Sequence, residues 1–258
     1  LKKLLDDFHV SEIYANRDYE PYATGRDRSV EELTESKGIS FHLFRDQVIF
    51  EQDEVMKDDG DPYVVYTPYS RRWLERFETD RPAYHPDLPG KGFHPSEYSL
   101  PSLGSIGFKA SGIRVPPYDL SVAEDYPKLR DFPAQDATSH LSPHLRFGTV
   151  SIRSVISRLK PSHETFLGEL IWREFFMQIL YHFPRVVDQN FRREYDGVQW
   201  LNHEEDFERW CRGETGYPLV DAGMRELNTT GYMHNRVRMV TASFLCKHLL
   251  IDWRWGEA

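Results

Sequence analysis

Four residues between positions 235 and 242 could form a ligand-binding surface on a helix. Asn235, Arg238, Met239 and Ala242 recur at intervals of three, four and seven positions, so they share one face. We expect this face to point into the core, which would place an amide and a guanidinium where apolar side chains normally lie. Two interpretations are open: a ligand pocket, or a partly exposed helix whose arginine stems lie along apolar surface.

The elements that hold this face are also predicted from local signals. Pro218 suits the first turn of a helix and Gly231 suits a left-handed helix end, so one short helix is predicted over residues 218 to 230. A second helix follows it and carries the polar face. Tyr232, Arg236 and Val240 are predicted to form a neighbouring stripe on that second helix.

A second helix with unusual polar residues is predicted over residues 164 to 183. Phe166, Glu169, Trp172, Arg173 and Phe176 share one of its faces. Glu169 and Arg173 are spaced for an ion pair, which would contribute about 0.3–0.5 kcal/mol if it is exposed. The alternative is a pocket for a planar, hydrogen-bonding ligand, with Trp172 as its flat surface.

Hydroxyl groups gather near two predicted helix starts. Ser142 followed by Pro143 fits an N-cap and first helical residue, and Ser151 can cap the next helix. Helix N-termini bind anions through free N–H groups. Thr138, Ser139 and Ser142 could therefore hold a phosphate. The alternative is that these serines only cap helix N-termini, which is what serines at such positions usually do.

Motifs for several other kinds of chemistry are missing from the sequence. There is no GxGxxG, GxxxxGK[ST], HExxH, GxSxG or EF-hand loop. Cys211 and Cys246 are isolated, so neither a disulfide framework nor a zinc site is predicted. We expect no metal.

Helical and strand patterns alternate in the first part of the chain. Residues 2 to 8 predict a helix, 12 to 16 a buried strand, 26 to 38 a helix closed by Gly38, and 39 to 50 a second strand. This order predicts part of a doubly wound parallel α/β domain. Because such a domain normally opens on a strand, an N-terminal portion is expected to be missing.

The later part of the chain changes character twice. Pro, Gly, Ser and His dominate a long segment that we interpret as an interdomain linker, and helix signals dominate after it. The predicted architecture is α/β plus all-α: residues 1–75 form the α/β part, 76–125 the linker, and 126–258 a helical domain.

Composition excludes two further classes. The 258 residues carry a net charge of −9, which argues against indiscriminate nucleic-acid binding but allows a local basic groove. No run of about 18 apolar residues is present, so no membrane span is predicted. The first ten residues lack the apolar core of a signal peptide, and we expect a cytoplasmic protein.

Five ordered segments, distributed over nearly the whole chain, resemble the photolyase/cryptochrome family. The form of MHNRVRM at 233 to 239 is most similar to the class I cyclobutane pyrimidine dimer photolyases. The segments are YANRDYEPY (14 to 22), YTPYSRRW (66 to 73), RDFPAQDATSHLSPHLRFGTVS (130 to 151), GELIWREFF (168 to 176) and GYPLVDAGMRELNTTGYMHNRVRMVTASFL (216 to 245).

The resemblance implies a light-driven enzyme, a deoxyribodipyrimidine photo-lyase. Such enzymes bind FAD noncovalently in a helical domain, flip a pyrimidine dimer out of the DNA stack, and split it by electron donation from the excited, reduced flavin. The α/β domain would hold an antenna chromophore of folate or deazaflavin type, whose identity the sequence does not indicate. The expected protein is a monomer that acts on damaged DNA.

The resemblance also implies roles for individual residues. Catalytic roles fall on Glu169, Asn235, Trp200 and Trp253, the two tryptophans as members of a chain that reduces the flavin. Contacts to FAD fall on Tyr126, Thr138, Ser139, Leu141, Ser142, Phe166, Glu169, Arg173, Asn235 and Arg238. Contacts to DNA fall on Arg130, Glu169, Trp172, Tyr232, Arg236 and Met239, where Tyr232 replaces the tryptophan usual in the family.

Two alternatives to a repair enzyme remain. One is a cryptochrome-like flavin photoreceptor that signals through partners. The other is an inactive fragment, because the family continues beyond WRWGEA and part of the FAD pocket is expected to lie there. Glu169, Trp172 and Met239 favour repair, since a receptor has no need of a wall shaped to a lesion.

Overall fold

The computed structural model describes residues 1–81 and 99–258. These residues form two compact units. The first consists of residues 1–81, 120–127 and 141–198, and the second of residues 99–119, 128–140 and 199–258.

The first unit opens with two helices and two strands in alternation. They are α1 (Lys2–Asp7), β1 (Glu12–Asn16), α2 (Pro21–Glu35) and β2 (Ser40–Phe44). The strands pair in parallel with Ile13 opposite Phe41, which confirms the predicted parallel arrangement. Helix α2 begins earlier than predicted because Pro21 occupies its first turn.

The second strand is shorter than the predicted range of 39 to 50. It ends at Phe44, and residues 48 to 50 are buried without strand pairing. Side chains satisfy the backbone there: Arg153 donates to the carbonyls of Asp46 and Val48, and Glu174 accepts from the N–H groups of Ile49 and Phe50. A buried apolar run can thus be core without being a strand, provided that other groups meet its backbone hydrogen bonds.

Five further helices lie wholly or partly in the first unit: α3 (Tyr66–Thr79), α4 (Tyr126–Leu129), α5 (Leu141–Arg146), α6 (Ile152–Ser157) and α7 (Glu164–His182). The bounds of α7 agree with the prediction to within one residue. Helix α3 packs against α7, and Tyr69, Trp73, Ile171 and Phe175 are buried.

One of the two predicted serine caps is wrong. Ser151 caps α6, as predicted, by accepting from the N–H of Arg153 at 3.2 Å. Ser142 is instead the second residue of α5, because the helix begins at Leu141, directly after His140, whose φ is +49°. The turn at His140 therefore starts this helix one residue before the expected cap.

The second unit contains α8 (Glu204–Arg212), α9 (Pro218–Thr230), α10 (Asn235–Lys247) and α11 (Trp253–Glu257). The prediction for α9 is confirmed at both ends, and Gly231 terminates it with φ of +72°. Trp210, Met224, Val237, Leu245 and Ile251 belong to the core. Gly223 allows α9 and α10 to approach closely, since a Cβ there would lie 2.3 Å from Val237 Cγ1.

The predicted linker is only partly covered. The stretch 82 to 98 lies outside the described residues, and residues 104 to 106 and 121 to 123 form short 3-10 turns. The domain bounds at 75 and 125 stay a prediction; α3 extends across the first of them. Throughout residues 1–81 and 99–258, no helix combines the length and apolar character needed to cross a membrane.

Candidate functional site

The polar face of α10 points to solvent, so its predicted burial is wrong. Asn235, Arg238 and Ala242 are exposed, and Met239 is 55% exposed. The buried residues of the helix are instead Val237, Thr241, Phe244 and Leu245. The physical reason is the close contact at Gly223, which draws Val237 and Thr241 toward α9. The opposite face, with its amide and guanidinium, remains open to a ligand.

Tyr232 lies beside residues predicted to hold the FAD phosphates. It precedes the start of α10 at Asn235, so the predicted helical stripe of Tyr232, Arg236 and Val240 is wrong. The Tyr232 hydroxyl donates to Thr138 Oγ1 at 2.8 Å, and its ring lies 4.9 Å from the His140 ring. Burial raises the pKa of the Tyr232 phenol. The tyrosine therefore stays neutral and orients the Thr138 hydroxyl.

The other predicted FAD contacts between positions 126 and 142 occupy different environments. In the second unit, Ser139 is half-buried and its carbonyl accepts from the N–H of Asp119 at 3.0 Å. In the first unit, Leu141 is buried and Ser142 is exposed on α5. Tyr126 meets Phe166 edge to face, with ring centres 5.3 Å apart. The predicted FAD contacts are thus divided between the two units.

Asp131 brings together the two arginines predicted to bind DNA phosphates. Its Oδ1 lies 2.6 Å from Arg236 Nε and 3.8 Å from Arg130 Nε. The two arginines lie far apart in sequence, so the shared carboxylate gives them a common location. A phosphate that binds there would compete with Asp131, which is itself largely exposed.

Arg173 on α7 binds a main-chain carbonyl group of a segment that is distant in sequence. Arg173 Nη1 donates to the carbonyl of Gln47 at 2.7 Å. Burial lowers the pKa of Arg173, while Glu174 and Asp46 act in the opposite direction. The predicted role of Arg173 as an FAD contact stays a prediction, and the contact to Gln47 shows how the side chain is held. Phe166 is buried on the same helix, and Glu169 is half-buried.

Trp172 belongs to an aromatic cluster. Its indole stacks on the ring of Tyr66 with centres 3.6 Å apart, and it also stacks on Phe176 at 5.5 Å. Phe176 is 60% exposed. A flat, partly exposed aromatic surface of this kind suits a nucleobase, because every base has a face that can stack.

Sequence reasoning missed Glu174, which is buried between three N–H donors. The carboxylate accepts from Ile49 N at 2.6 Å, from Phe50 N at 3.1 Å and from Trp73 Nε1 at 2.7 Å. The available signal was its position among the apolar residues Leu170, Ile171 and Phe175 of the same helix. A carboxylate on the buried face of a helix needs hydrogen-bond donors, and those of Glu174 come from residues more than 100 positions away in sequence.

A cleft of about 260 Å³ opens beside the exposed face of α10. Its lining combines the apolar side chains Met224, Met233 and Leu245 with Arg238 and Trp253. Such a mixture, with an apolar floor and a few polar groups, is typical of sites for small molecules. The guanidinium of Arg254 lies 5.6 Å from the centre of the Trp253 ring.

Trp200 and Trp253 are the two predicted electron-transfer tryptophans. Residues next to them in sequence are hydrogen-bonded to residues near the other tryptophan. Leu201, which follows Trp200, donates from its N–H to the carbonyl of Leu250 at 2.7 Å. The side chain of Asn202 accepts from the N–H of Asp252, which precedes Trp253. These bonds join the chain segments that carry the two indoles. Across the described residues, no group of three or more His, Cys, Asp or Glu side chains is arranged to hold a metal.

Two family models match the chain. The model described as "DNA photolyase" matches residues 1–87, and the one described as "FAD binding domain of DNA photolyase" matches residues 166–258. The second range includes Phe166, Glu169, Arg173, Asn235 and Arg238. The predicted contacts between positions 126 and 142 lie outside both matches.

Individual proteins of this kind are similar over the whole chain. A deoxyribodipyrimidine photo-lyase of Halobacterium salinarum is 36% identical over 99% of this chain and 59% of its own length. A solved class III photolyase from Agrobacterium tumefaciens is 35% identical with a TM-score of 0.83, over 99% of this chain and 58% of that one. A Synechocystis cryptochrome, 24% identical with a TM-score of 0.82 over 99% and 59%, shares the fold. The chain thus spans a little under 60% of the relatives it matches.

Proposed function

The chain belongs to the photolyase/cryptochrome family, and from this premise we propose that its protein is a light-dependent DNA repair enzyme. The proposed reaction is the splitting of cyclobutane pyrimidine dimers, with FAD as the cofactor and dimer-containing DNA as the substrate. Membership of the class I branch, a monomeric state, a cytoplasmic location and an antenna chromophore stay predictions.

The observation that carries the proposal is the open polar face of α10 above an apolar cleft. Asn235 and Arg238 are exposed on that face, and Arg238 also lines the cleft with Met224 and Met233. Exposing this face leaves an amide and a guanidinium free for a ligand with both polar and ring-shaped parts. The residues therefore fit a dinucleotide cofactor that combines rings with phosphates.

Different residues of the chain would contact different parts of FAD. Arg238 supplies a permanent positive charge, and the hydroxyls of Thr138 and Ser139 offer hydrogen bonds to an anionic or ribityl group. The bond from Tyr232 to Thr138 Oγ1 occupies one lone pair of that hydroxyl and leaves its proton for the ligand. FAD, when bound, supplies the photochemical electron donor for the dimer.

Glu169 and Trp172 would receive the flipped lesion. Glu169 is half-buried on α7, where a carboxylate can accept from the N–H groups of a pyrimidine pair. Trp172, one turn further along, offers the stacking surface. Met239 is the exposed apolar contact on α10. Arg130 and Arg236 would bind the flanking phosphates, in exchange for their shared contact with Asp131.

The experiment uses the full-length gene product with its bound flavin reduced. Illumination with an oligonucleotide containing one pyrimidine dimer should restore the two pyrimidines, and chromatography of the oligonucleotide measures the yield. Glu169→Ala is expected to lower the repair yield about 10- to 100-fold while flavin remains bound, because one transition-state contact is lost. Glu164→Ala, which removes an exposed acid from the first turn of the same helix, serves as the control.

Two outcomes would contradict the proposal. A flavin-loaded protein that leaves dimers intact under light would favour the photoreceptor alternative. A full-length product that binds no flavin, judged from its absorption spectrum, would exclude both flavin-dependent functions.

A further inference from the structure

Tyr66 covers one face of the Trp172 indole. The two rings are nearly parallel, with an angle of 7° and a centre-to-centre distance of 3.6 Å. At this separation the ring faces are in van der Waals contact. Tyr66 stands in the first turn of α3 and Trp172 near the middle of α7, so only the tertiary fold brings them together.

The tyrosine is itself held in place. Its hydroxyl donates to the carbonyl of Gly168 at 2.9 Å, and Gly168 lies one helical turn before Trp172. Tyr66 therefore contacts α7 at two successive turns, with its hydroxyl at one and its ring at the next. The ring of Phe175, which is buried, is T-shaped to those of both Tyr66 and Trp172, with ring centres 5.9 and 5.8 Å apart.

Another aromatic neighbour of the indole is more loosely held. The rings of Phe176 and Trp172 have centres 5.5 Å apart and planes at 25°, and Phe176 is mostly exposed. An exposed phenylalanine on a helix surface can change rotamer at small cost. Trp172 thus has one face held against an anchored ring, while its neighbour Phe176 is an exposed ring that can move.

We propose that Tyr66 is a positioning residue for lesion binding: it fixes the plane of Trp172 so that a flipped pyrimidine dimer stacks on the opposite face. This inference rests on the proposed function. A residue already held in its binding orientation loses less side-chain freedom when the ligand arrives. The fixed plane also favours the lesion over undamaged DNA, because undamaged DNA keeps its bases stacked in the helix and does not use the pocket.

The test measures dark binding, before any chemistry. Full-length protein is titrated with a duplex containing one pyrimidine dimer and with the same duplex undamaged. Tyr66→Leu is expected to weaken dimer binding about 3- to 10-fold, by freeing the indole, and to leave binding of undamaged duplex unchanged. Tyr66→Phe keeps the ring and should hold dimer binding to within about 2-fold of wild type, since the stacking surface stays while the hydrogen bond to Gly168 is lost.

Tyr63→Leu is the matched control. Tyr63 packs on Tyr69 of the same aromatic cluster in a T-shaped arrangement, with ring centres 6.2 Å apart. This variant should keep the wild-type preference for dimer-containing over undamaged duplex. A loss of that preference would indicate that the aromatic cluster as a whole has loosened.

The results separate this inference from the function on which it rests. If wild-type protein prefers the dimer and Tyr66→Leu keeps that preference, the positioning role is refuted and the repair function stands. The positioning role is also refuted if Tyr66→Leu and Tyr63→Leu lose both DNA affinities in parallel. Wild-type protein without any preference for the dimer would refute the repair function and the positioning role together.

Discussion

At the scale of single residues, burial and hydrogen-bond donors together set the pKa values of the buried carboxylates. Glu174 is only 2% exposed and receives three N–H donors. Burial nevertheless raises its pKa to about 7, against the effect of those donors and of Arg173. The carboxylate therefore links α7, Trp73 of α3 and the segment after β2 through bonds that depend on its protonation state.

The raised pKa of Glu174 predicts a dependence of stability on pH. The folded protein binds this proton more tightly than the unfolded chain, so the free energy of unfolding should fall as pH rises from about 4.5 to about 7. The decrease should be at most about 1.4 kcal/mol per pH unit. Glu174→Gln has no proton to lose and should lack this component in denaturant titrations between pH 5 and 8.

Asp221→Asn provides the comparison for Glu174→Gln. Burial acts to raise the pKa of Asp221, but the hydrogen bonds from Thr215 and Gly216 outweigh it and the pKa is lowered. Its contribution is therefore present above about pH 4 and lost only below it. Asp221→Asn should destabilise the protein equally at pH 5 and pH 8; identical pH slopes for wild type and Glu174→Gln would contradict the prediction for Glu174.

At the scale of elements, the packing of α9 on α10 decides which side of α10 is free. Gly223 is the point of closest approach, and a side chain there would meet Val237 and Thr241. With that side buried, Asn235, Arg238 and Met239 face outward. The helix pair therefore exposes the polar face by burying the apolar one.

Gly223→Ala is expected to destabilise the protein by about 1–3 kcal/mol, because the added methyl group would overlap Val237 Cγ1 at 2.3 Å. Thermal or denaturant unfolding measures the loss. Gly168→Ala is the matched helical glycine, since its Cβ would only touch Tyr66 Oη at 3.7 Å. Helix propensity should make that control neutral or slightly stabilising. Equal stability of the two variants would show that α9 and α10 are not in close contact.

At the scale of the whole molecule, the net charge of −9 on the 258 residues would oppose DNA, so the proposed DNA binding has to rely on local arginines. Arg130 and Arg236 meet at Asp131, and the bond between Arg236 and Asp131 is 2.6 Å. If the proposed function holds, affinity for undamaged DNA should be weak at this place, and contacts to the flipped lesion should supply most of the affinity for damaged DNA. The salt dependence of affinity reports how many phosphates are contacted.

Arg236→Ala should reduce the slope of log affinity against log salt by about 1, because the proposed contact of Arg236 with one phosphate is removed. Fluorescence anisotropy of labelled duplex at several salt concentrations provides the slope. Arg212→Ala is the control: this arginine pairs with Glu208 and Glu214 on the surface and is not predicted to bind DNA. An unchanged slope for Arg236→Ala would remove Arg236 from the phosphate contacts.

The sequence alone determined the local elements and the family. Pro218 and Gly231 are sufficient to predict α9 to the residue, because a proline and a glycine have strong preferences at helix ends. The parallel pairing of β1 and β2 follows from the alternation of strands with helices. The resemblance of ordered segments supplied the family, which the matching family models confirm.

Only the tertiary structure decided how those elements use their faces. Periodicity shows that Asn235 and Arg238 share a side of α10, but the contact at Gly223 determines that this side is exposed. The early end of β2, the burial of Glu174 and the stacking of Tyr66 on Trp172 all join residues about 100 or more positions apart. Such contacts have no local signature, because side-chain spacing encodes a helix face but not the neighbour that covers it.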